Sequence, residues 1–335
     1  MTATHITADI AIVGAGMAGA SLAAEIGDAA RVVLIEGEAQ PGYHSTGRSA
    51  AFWSETYGGP AVQPLTSASF AYLDGHGFLG DRTAIHIARP EYIGAVDAML
   101  ATFAGNVALE RVAAEALPAS IPGLRQGFAG GVAEPSCRDI DVAGLHAHYL
   151  GRARRAGTQL IGDARVRSIA RVAGGWRIAT DAGTVEAALL VDAAGAGRTN
   201  WRRSRASRRS ASSPIGAPSS SWRSTRRSPR RCRWCSISPA ASTSSRRRDV
   251  FGCRHMTRRR CRPATRPDEL DIAIAIDRLE RTVDWRIVRV ERAWAGLRSF
   301  APDRAPVYGF DDRAEGFFWF AGQGASVSRP LPPPR

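Results

Sequence analysis

Short apolar runs near the N-terminus alternate with a helix-like segment. Residues 9–13 (DIAIV) form an apolar run that leads directly into a glycine-rich turn. Such a run is typical of a buried parallel strand. Residues 20–26 then have a helix-like pattern, and a second apolar run at 31–35 ends at Glu36. The order of strand, helix and strand predicts a parallel α/β unit in this part of the chain.

A second patterned region lies in the middle of the chain. Asp141 is the predicted N-cap of a helix that continues through residue 150. Arg152, Arg154 and Arg155 near its end suit the negative end of the helix dipole. Glycines separate the next segments, which predicts an antiparallel meander followed by one more strand. These strand-like segments are residues 164–169, 176–180, 185–187 and 189–196.

The turn between the first strand and helix has the glycine spacing of a dinucleotide site. In GxGxxG the first glycine permits a tight turn, the second lets the backbone approach a pyrophosphate, and the third lets the helix pack on the strand. Glu36 would accept hydrogen bonds from the adenosine ribose hydroxyls. The motif by itself does not separate NAD from FAD. The predicted phosphate-binding turn is Gly14, Ala15, Gly16, Met17, Ala18 and Gly19.

The stretch after the second strand carries a family resemblance. Residues 36–51 (EGEAQPGYHSTGRSAA) resemble the segment that lines the isoalloxazine in the D-amino-acid oxidase superfamily of FAD enzymes, most of all in its bacterial D-arginine dehydrogenases. The resemblance covers about residues 8–197 and 267–324. It implies FAD as the cofactor, with a backbone contact to adenine at Val166 and a strand beneath the cofactor that ends at Ala194. The further implied cofactor residues are Ser45, Thr46, Arg48, Ser49, Ala50, Gly195 and Gly324.

The resemblance also implies the architecture. We expect an α/β fold in which a Rossmann-type FAD-binding domain is interleaved with an α+β substrate domain built on a mixed sheet. The expected FAD-binding domain comprises residues 1–75, 141–200 and 293–335, and the expected substrate domain comprises 76–140 and 267–292. Residues 198–266 would interrupt the substrate domain.

Three residues are substrate candidates through the same resemblance. Arg298, in the block 294–300 (WAGLRSF), matches the family's arginine that clamps the substrate carboxylate, and a guanidinium fork suits that role. Tyr57 matches the family's lid tyrosine. Glu91 aligns with the acid that receives the substrate guanidinium. Phe52 stands where the arginine enzyme has a histidine, which puts arginine itself in doubt.

The implied activity is oxidation of the C–N bond of an amino acid, as in D-amino-acid dehydrogenases. The alternative is a sarcosine or N-methyl amino acid oxidase of the same fold, and the electron acceptor is left open. We expect a small amino-acid substrate, no nucleic-acid partner, no metal site and no membrane-spanning segment. Because Cys137 is the one cysteine outside residues 198–266, and no signal peptide is recognisable, we expect a cytoplasmic protein.

The formal charge of +14 is concentrated in one window. Residues 198–266 hold 21 of the 45 basic residues, 15 Ser, no Leu and one acid, Asp249. The rest of the chain holds 24 basic and 30 acidic residues, so the window carries +20 and the remainder −6. The remainder therefore has the composition of an ordinary, mildly acidic protein, and the high charge does not by itself indicate a nucleic-acid partner.

Three interpretations of the window remain open. It could bind RNA, or it could hold zinc through irregularly spaced Cys232, Cys235, Cys253, His255 and Cys261, which is a weak pattern. It could also result from a shifted reading frame. All 45 basic residues are Arg, as expected of a GC-rich gene. If one base was lost after Ala196, restoring it converts the observed residues 197–211 into WADELAALAGVAPIG, which follows the family pattern.

The C-terminal segment behaves in the same way. Adding one base at Gly324 converts residues 324–335 into GGVGIQTAPAAA, the family's glycine-rich turn on the flavin side. We therefore favour frame shifts over 197–266 and 325–335. We expect the window to be poorly ordered, because so many guanidinium groups cannot be buried without partners, and we expect the literal chain to bind FAD weakly or not at all.

Overall fold

The computed structural model describes residues 4–49, 51–195, 238–239, 251–252, 269–285, 290, 293–294, 299, 301 and 305–323. Almost all of the arginine-rich window and the whole C-terminal segment from residue 324 therefore lie outside the described residues. The candidate zinc ligands and the predicted site residues Ala50, Arg298 and Gly324 lie outside them as well.

Eight of the described strands form one mixed sheet. Six of them follow one another in the order β10-β11-β12-β1-β2-β9. The other two extend from β12, because β16 pairs with β12 and β15 pairs with β16. The predicted α/β class with a mixed sheet is confirmed. β1, β2, β9, β12 and β16 are parallel where they pair, while β10, β11 and β15 pair antiparallel. The strands are β1 (Thr4–Val13), β2 (Val32–Ile35), β9 (Gln159–Ile161), β10 (Val166–Val172), β11 (Gly175–Thr180), β12 (Gly183–Asp192), β15 (Val307–Asp311) and β16 (Ala314–Ala321).

Residues 183–192 form one strand, although their sequence pattern predicts two. The first half of β12 pairs with β11, and the second half pairs with β16 on the same side. β1 runs along the other side of both halves, from Thr4 opposite Gly183 to Val13 opposite Asp192. β1 is therefore longer than predicted, because the first half of β12 supplies partners for residues 4–8.

Two three-stranded sheets and a set of helices accompany the main sheet. Their orders are β3-β8-β4 and β5-β7-β6, all antiparallel, and a two-residue pair is formed by β13 and β14. The strands are β3 (Phe52–Trp53), β4 (Leu79–Asp81), β5 (Ala84–Ala88), β6 (Glu110–Ala113), β7 (Gly130–Glu134), β8 (Arg138–Ile140), β13 (Ser238–Pro239) and β14 (Phe251–Gly252). The helices are α1 (Met17–Ile26), α2 (Gln63–Gly75), α3 (Ile93–Phe103), α4 (Leu117–Ser120), α5 (Val142–Arg155) and α6 (Glu269–Glu280), with 3₁₀ turns at Pro90–Tyr92 and Ala114–Ala116.

The core under the glycine-rich turn joins α1, α5 and one face of the main sheet. Ala20 and Ala23 of α1 are small, so the large side chains Leu145 and Tyr149 of α5 fit beside them, and all four are fully buried. α5 begins as predicted, since the Asp141 side chain accepts a hydrogen bond from the Gly144 amide at 2.9 Å. This packing fixes α5 directly behind the turn. No helix in the described part of the chain is long and apolar enough to cross a bilayer.

The proposed division into two domains stays a prediction. β3, from the segment expected in the FAD-binding domain, pairs with β8, from the segment expected in the substrate domain. α6 is held against the loop at 121–125, where the Arg125 amide donates to the Thr282 carbonyl at 2.9 Å.

Candidate functional site

The glycine-rich turn lies where the carboxyl ends of β1, β2 and β12 meet. Gly14 follows β1 with φ of +103°, a conformation that L side chains rarely adopt. Its amide donates to the Ile35 carbonyl at 2.8 Å. A Cβ added to Gly14 would lie 2.5 Å from the carbonyl oxygen of Ala193. The turn is therefore enclosed by all three strand ends, where parallel α/β sheets bind nucleotides.

The other two glycines of the motif give the turn its close packing. A Cβ on Gly19 would overlap the carbonyl oxygen of Gly14 and lie 3.2 Å from Leu34 Cδ1. A Cβ on Gly16 would lie 3.1 Å from the Thr46 hydroxyl. Gly19 is thus required for α1 to pack on the turn. Gly16, which has no side chain, lets the Thr46 hydroxyl approach the turn closely.

Glu36 lies against the turn at the end of β2. One carboxylate oxygen accepts from the Ala15 amide at 2.9 Å, and the other accepts from the Glu38 amide at 3.1 Å. The side chain is half-buried. Val166 begins β10 close by, because the Ala164 amide donates to the Glu36 carbonyl at 2.8 Å. Glu36 and the start of β10 therefore form one end of the site, as an adenosine pocket requires.

A loop at 42–49 covers the N-terminus of α1. Thr46 is 8% exposed, and its hydroxyl accepts from the Met17 amide at 3.0 Å. The loop is closed by a hydrogen bond from the Gly47 amide to the Gly42 carbonyl at 2.7 Å. Arg48 lies with its guanidinium carbon 5.2 Å from the centre of the Tyr43 ring. Ser45 is half-buried and Ser49 is exposed in the same loop.

The end of β12 lies beside the glycine-rich turn. Asp192 is buried, and one of its oxygens accepts from the Ala194 amide at 3.1 Å. Gly195 has φ of +54°, so the chain turns sharply there. The Ala193 amide donates to the Val13 carbonyl at 3.0 Å, which holds this segment beside the glycine-rich turn.

Trp294, near the C-terminal end of the chain, contacts the loop at 42–49. The indole N–H of Trp294 donates to the Arg48 carbonyl at 2.9 Å. The Trp294 side chain is otherwise 51% exposed. Residues 246 positions apart are thereby joined. Arg298 itself lies outside the described residues.

Tyr57 follows a turn that a buried carboxylate holds. Glu134, at the end of β7, is 0% exposed. One of its oxygens accepts from the amides of Glu55 at 2.6 Å and Thr56 at 3.4 Å. The other accepts from the hydroxyls of Ser54 at 2.9 Å and Thr56 at 2.6 Å. The ring of Tyr57 lies 5.4 Å from that of Phe52, and both side chains are half-buried.

Glu91 follows β5 in the sheet β5-β7-β6, at the end opposite to Glu134. It is exposed in the 3₁₀ turn that follows β5. In β5, Ala84 pairs with Glu134 and Ala88 pairs with Gly130. Four residues of strand separate these pairs, about 14 Å. Tyr57 and Glu91 are thus placed beside opposite ends of the β5–β7 pair.

Comparison with known proteins identifies the family. A family model described as "DAO: FAD dependent oxidoreductase" matches residues 9–327. The chain belongs to this family.

The solved structures that the DAO chain resembles share its fold. Glycine oxidase from Geobacillus kaustophilus superposes with a TM-score of 0.73 at 19% identity, over 98% of this chain and 92% of that one. L-proline dehydrogenase from P. horikoshii gives 0.75 at 13% identity, over 98% and 91%. L-alpha-glycerophosphate oxidase from Mycoplasma pneumoniae, solved with FAD bound, gives 0.69 at 13% identity, over 97% and 92%.

The described residues fit FAD, the cofactor of the DAO family. The glycine turn lets the backbone approach a pyrophosphate, and the positive end of the α1 dipole, which favours an anion, lies at this turn. Glu36 supplies the acceptor that a ribose needs. Thr46 and Arg48 place polar atoms on the loop at 42–49. These residues would hold the cofactor beside the glycine-rich turn.

Two buried residues at this site escaped the sequence analysis. Glu134 carries no motif, and its partners lie about 80 positions away. His146 lies two residues before His148 in an ordinary helix pattern, which distinguishes neither of them. They point to different partners, since His146 binds the Ala15 carbonyl and His148 binds the Tyr72 hydroxyl. No metal-binding group of three or more ligands occurs among the residues that the structure describes.

Proposed function

We propose that this DAO-family protein oxidises the C–N bond of an amino acid and most resembles a D-amino-acid dehydrogenase. The observation that carries the proposal is the hydrogen bond from Trp294 to the Arg48 carbonyl. It brings Trp294, four positions before Arg298 in the sequence, against the loop expected to line the flavin. When bound, FAD supplies the acceptor for a hydride, and the protein's part is to bind and orient the substrate.

The side chains have distinct proposed roles. The Arg298 guanidinium would pair with the substrate carboxylate through two parallel hydrogen bonds. Tyr57 would cover the bound amino acid, and its ring position is set by Phe52 and the Glu134-held turn. The substrate must enter with a neutral amine and its Cα–H directed at the flavin, so no side-chain base is required.

The placement of Glu91 supports a long, cationic substrate side chain. An amino-acid backbone alone cannot reach across the roughly 14 Å between the two ends of the β5–β7 pair. A side chain such as that of arginine or lysine could contact Tyr57 near one end and Glu91 near the other. Phe52, which replaces a histidine of the arginine enzymes, would leave arginine as only one of several basic candidates.

Substrate preference gives the test. The frame-restored protein would be mixed with FAD and screened anaerobically against D-amino acids, L-amino acids and N-methyl amino acids, with flavin bleaching as the signal. We expect D-amino acids with basic side chains to bleach it fastest. Glu91→Gln should lower the preference for a basic over a neutral D-amino acid by about tenfold or more, because a charge-assisted pair is lost. Bleaching only by N-methyl amino acids would identify a sarcosine-type oxidase, and no bleaching by any amine would refute the proposal.

The reading frame is part of this proposal. Residues 197–266 and 325–335 are proposed to be translated out of frame, with no role in binding zinc or RNA. Resequencing the gene tests this directly, and an unbroken frame with the same Arg codons would refute it. The frame-restored protein should bind FAD more tightly than the literal chain, as measured by flavin fluorescence. A cytoplasmic location also remains a proposal, supported by the buried free thiol of Cys137.

A further inference from the structure

We infer that His146 is a positioning residue for FAD: its imidazole fixes the glycine-rich turn and the loop at 42–49 relative to each other. It does so from α5, an element outside both segments. The inference concerns cofactor binding and does not depend on which amino acid is the substrate.

The first contact of His146 is with the turn. Its Nε2 lies 2.8 Å from the Ala15 carbonyl oxygen. Because a carbonyl only accepts hydrogen bonds, Nε2 carries the proton and donates. The amide of Ala15 is bound from the front by Glu36. The amide and the carbonyl of Ala15 are therefore held by two side chains, those of Glu36 just after β2 and His146 in α5.

The second contact is with the loop at 42–49. A Cβ on Gly42, where φ is +79°, would lie 2.8 Å from His146 Cε1 and 3.0 Å from Nδ1. The loop backbone at Gly42 therefore lies close against the Cε1–Nδ1 edge of the imidazole ring. The same loop returns to the turn through Thr46, whose hydroxyl accepts from the Met17 amide. His146 thus closes a ring of contacts that runs through Ala15, Met17, Thr46 and Gly42.

The chemistry of the pocket suits a neutral imidazole. The His146 side chain is buried at 8% exposure. Burial lowers the pKa of His146, although its hydrogen bond to Ala15 and the charge of Glu36 act in the opposite direction. A neutral ring with its proton on Nε2 adds a donor behind the turn without adding a charge. A phenylalanine would fill the same space but leave the Ala15 carbonyl without this donor.

His148 provides a matched control on the same helix. It lies two residues further along α5, so it points to a different side. Its Nε2 lies 3.0 Å from the Tyr72 hydroxyl, in a half-buried cluster with Arg152. It makes no recorded contact with the turn or the loop among the described residues.

The experiment measures FAD affinity by flavin fluorescence for the full-length frame-restored protein, which is expected to bind FAD more tightly than the literal chain, and for its variants His146→Phe, His146→Gln and His148→Phe. We expect His146→Phe to raise the Kd for FAD about tenfold, the value of one buried hydrogen bond of roughly average strength. His146→Gln, whose amide nitrogen reaches a position similar to Nε2, should restore most of the affinity. His148→Phe should leave the Kd within about twofold of that of the unsubstituted protein, since His148 contacts the Tyr72 hydroxyl and not the turn or the loop.

Hydrogen exchange on the FAD-free protein gives a second readout that needs no cofactor. In His146→Phe, the amides of residues 15–17 and 42–47 should exchange faster, while those of β11 and β12 keep their protection. An unchanged Kd together with unchanged exchange would overturn the inference. Equal weakening by His146→Phe and His148→Phe would also overturn it, because a general destabilisation of α5 would then explain the result. If His146→Phe fails to fold, His146→Gln is compared with the shorter His146→Asn, and equal FAD affinity or equal exchange contradicts the assignment.

Discussion

Removal of the buried Glu134 carboxylate is the most informative single perturbation of the substrate side. Its two oxygens accept four hydrogen bonds from one short turn, Ser54 to Thr56. The turn is also held from the other side, since the Glu55 carboxylate accepts from the hydroxyls of Ser67 and Ser136. Glu134 therefore fixes the position of the backbone immediately before Tyr57.

The magnitude follows from what each donor can do instead. The hydroxyls of Ser54 and Thr56 lie 3.2 Å apart and can bond to each other, so they lose little in Glu134→Ala. The amides of Glu55 and Thr56 have no such alternative, and each orphaned buried donor costs about 1–3 kcal/mol. With the cavity left by the side chain, we expect Glu134→Ala to lower the free energy of unfolding by about 3–5 kcal/mol.

Glu134→Gln should cost less, and the difference tests the reasoning. Its amide oxygen can still accept from the two backbone amides, and its NH₂ group can donate to the two hydroxyls, which also accept hydrogen bonds. What is lost is the charge, so we expect about 1–2 kcal/mol. Urea unfolding followed by tryptophan fluorescence measures both values, and hydrogen exchange of the Glu55 and Thr56 amides locates the change.

The exposed carboxylate of Glu115 supplies the control. Glu115→Ala, in the 3₁₀ turn before α4, should change the free energy of unfolding by less than about 0.5 kcal/mol. If Glu134→Ala and Glu134→Gln lowered the free energy of unfolding equally, hydrogen bonding to the side-chain oxygen would not explain the loss. A loss below 1 kcal/mol for Glu134→Ala would refute the argument that the turn depends on this carboxylate.

Four further outcomes follow from the structure. In the frame-restored protein, Gly19→Ala should abolish measurable FAD binding in a fluorescence titration, because its Cβ would overlap the Gly14 carbonyl, whereas Gly16→Ala, with its Cβ 3.1 Å from a hydroxyl, should weaken binding only modestly. Glu36→Gln should raise the Kd for FAD about tenfold, since a charged acceptor becomes a neutral one. Burial, and then the charge of Glu134, raise the pKa of Cys137 to about 12, so iodoacetamide at pH 8 should alkylate it only in urea. Burial lowers the pKa of His86, although the charge of Glu134 acts in the opposite direction. The unfolded chain therefore binds the proton more tightly, and the free energy of unfolding should fall as the pH drops below about 6.5. His86→Asn should show a flatter dependence on pH.

Local pattern was sufficient for the parts of this protein that depend on near neighbours. The glycine turn, the acid at the end of β2 and the Asp141 cap lie within a few residues of the elements that they define, and strand, helix and turn preferences act over that distance. The family resemblance extended this to FAD, because it rests on a contiguous loop. Pattern failed at β12, where an expected break disappears because β1 supplies partners along its whole length.

Tertiary structure alone decided how the site is held. Glu134 reaches a turn 79 positions away, His146 reaches Ala15 over 131 positions, and Trp294 reaches Arg48 over 246. Each is one polar side chain whose partners lie far away in the sequence, and such contacts leave no periodic signal. The contacts of Glu134 and His146 form because a buried polar group must find a partner wherever the fold provides one. The sequence therefore determined which cofactor the chain is built for, and the packing of α5 and the small sheets decided which residues support it.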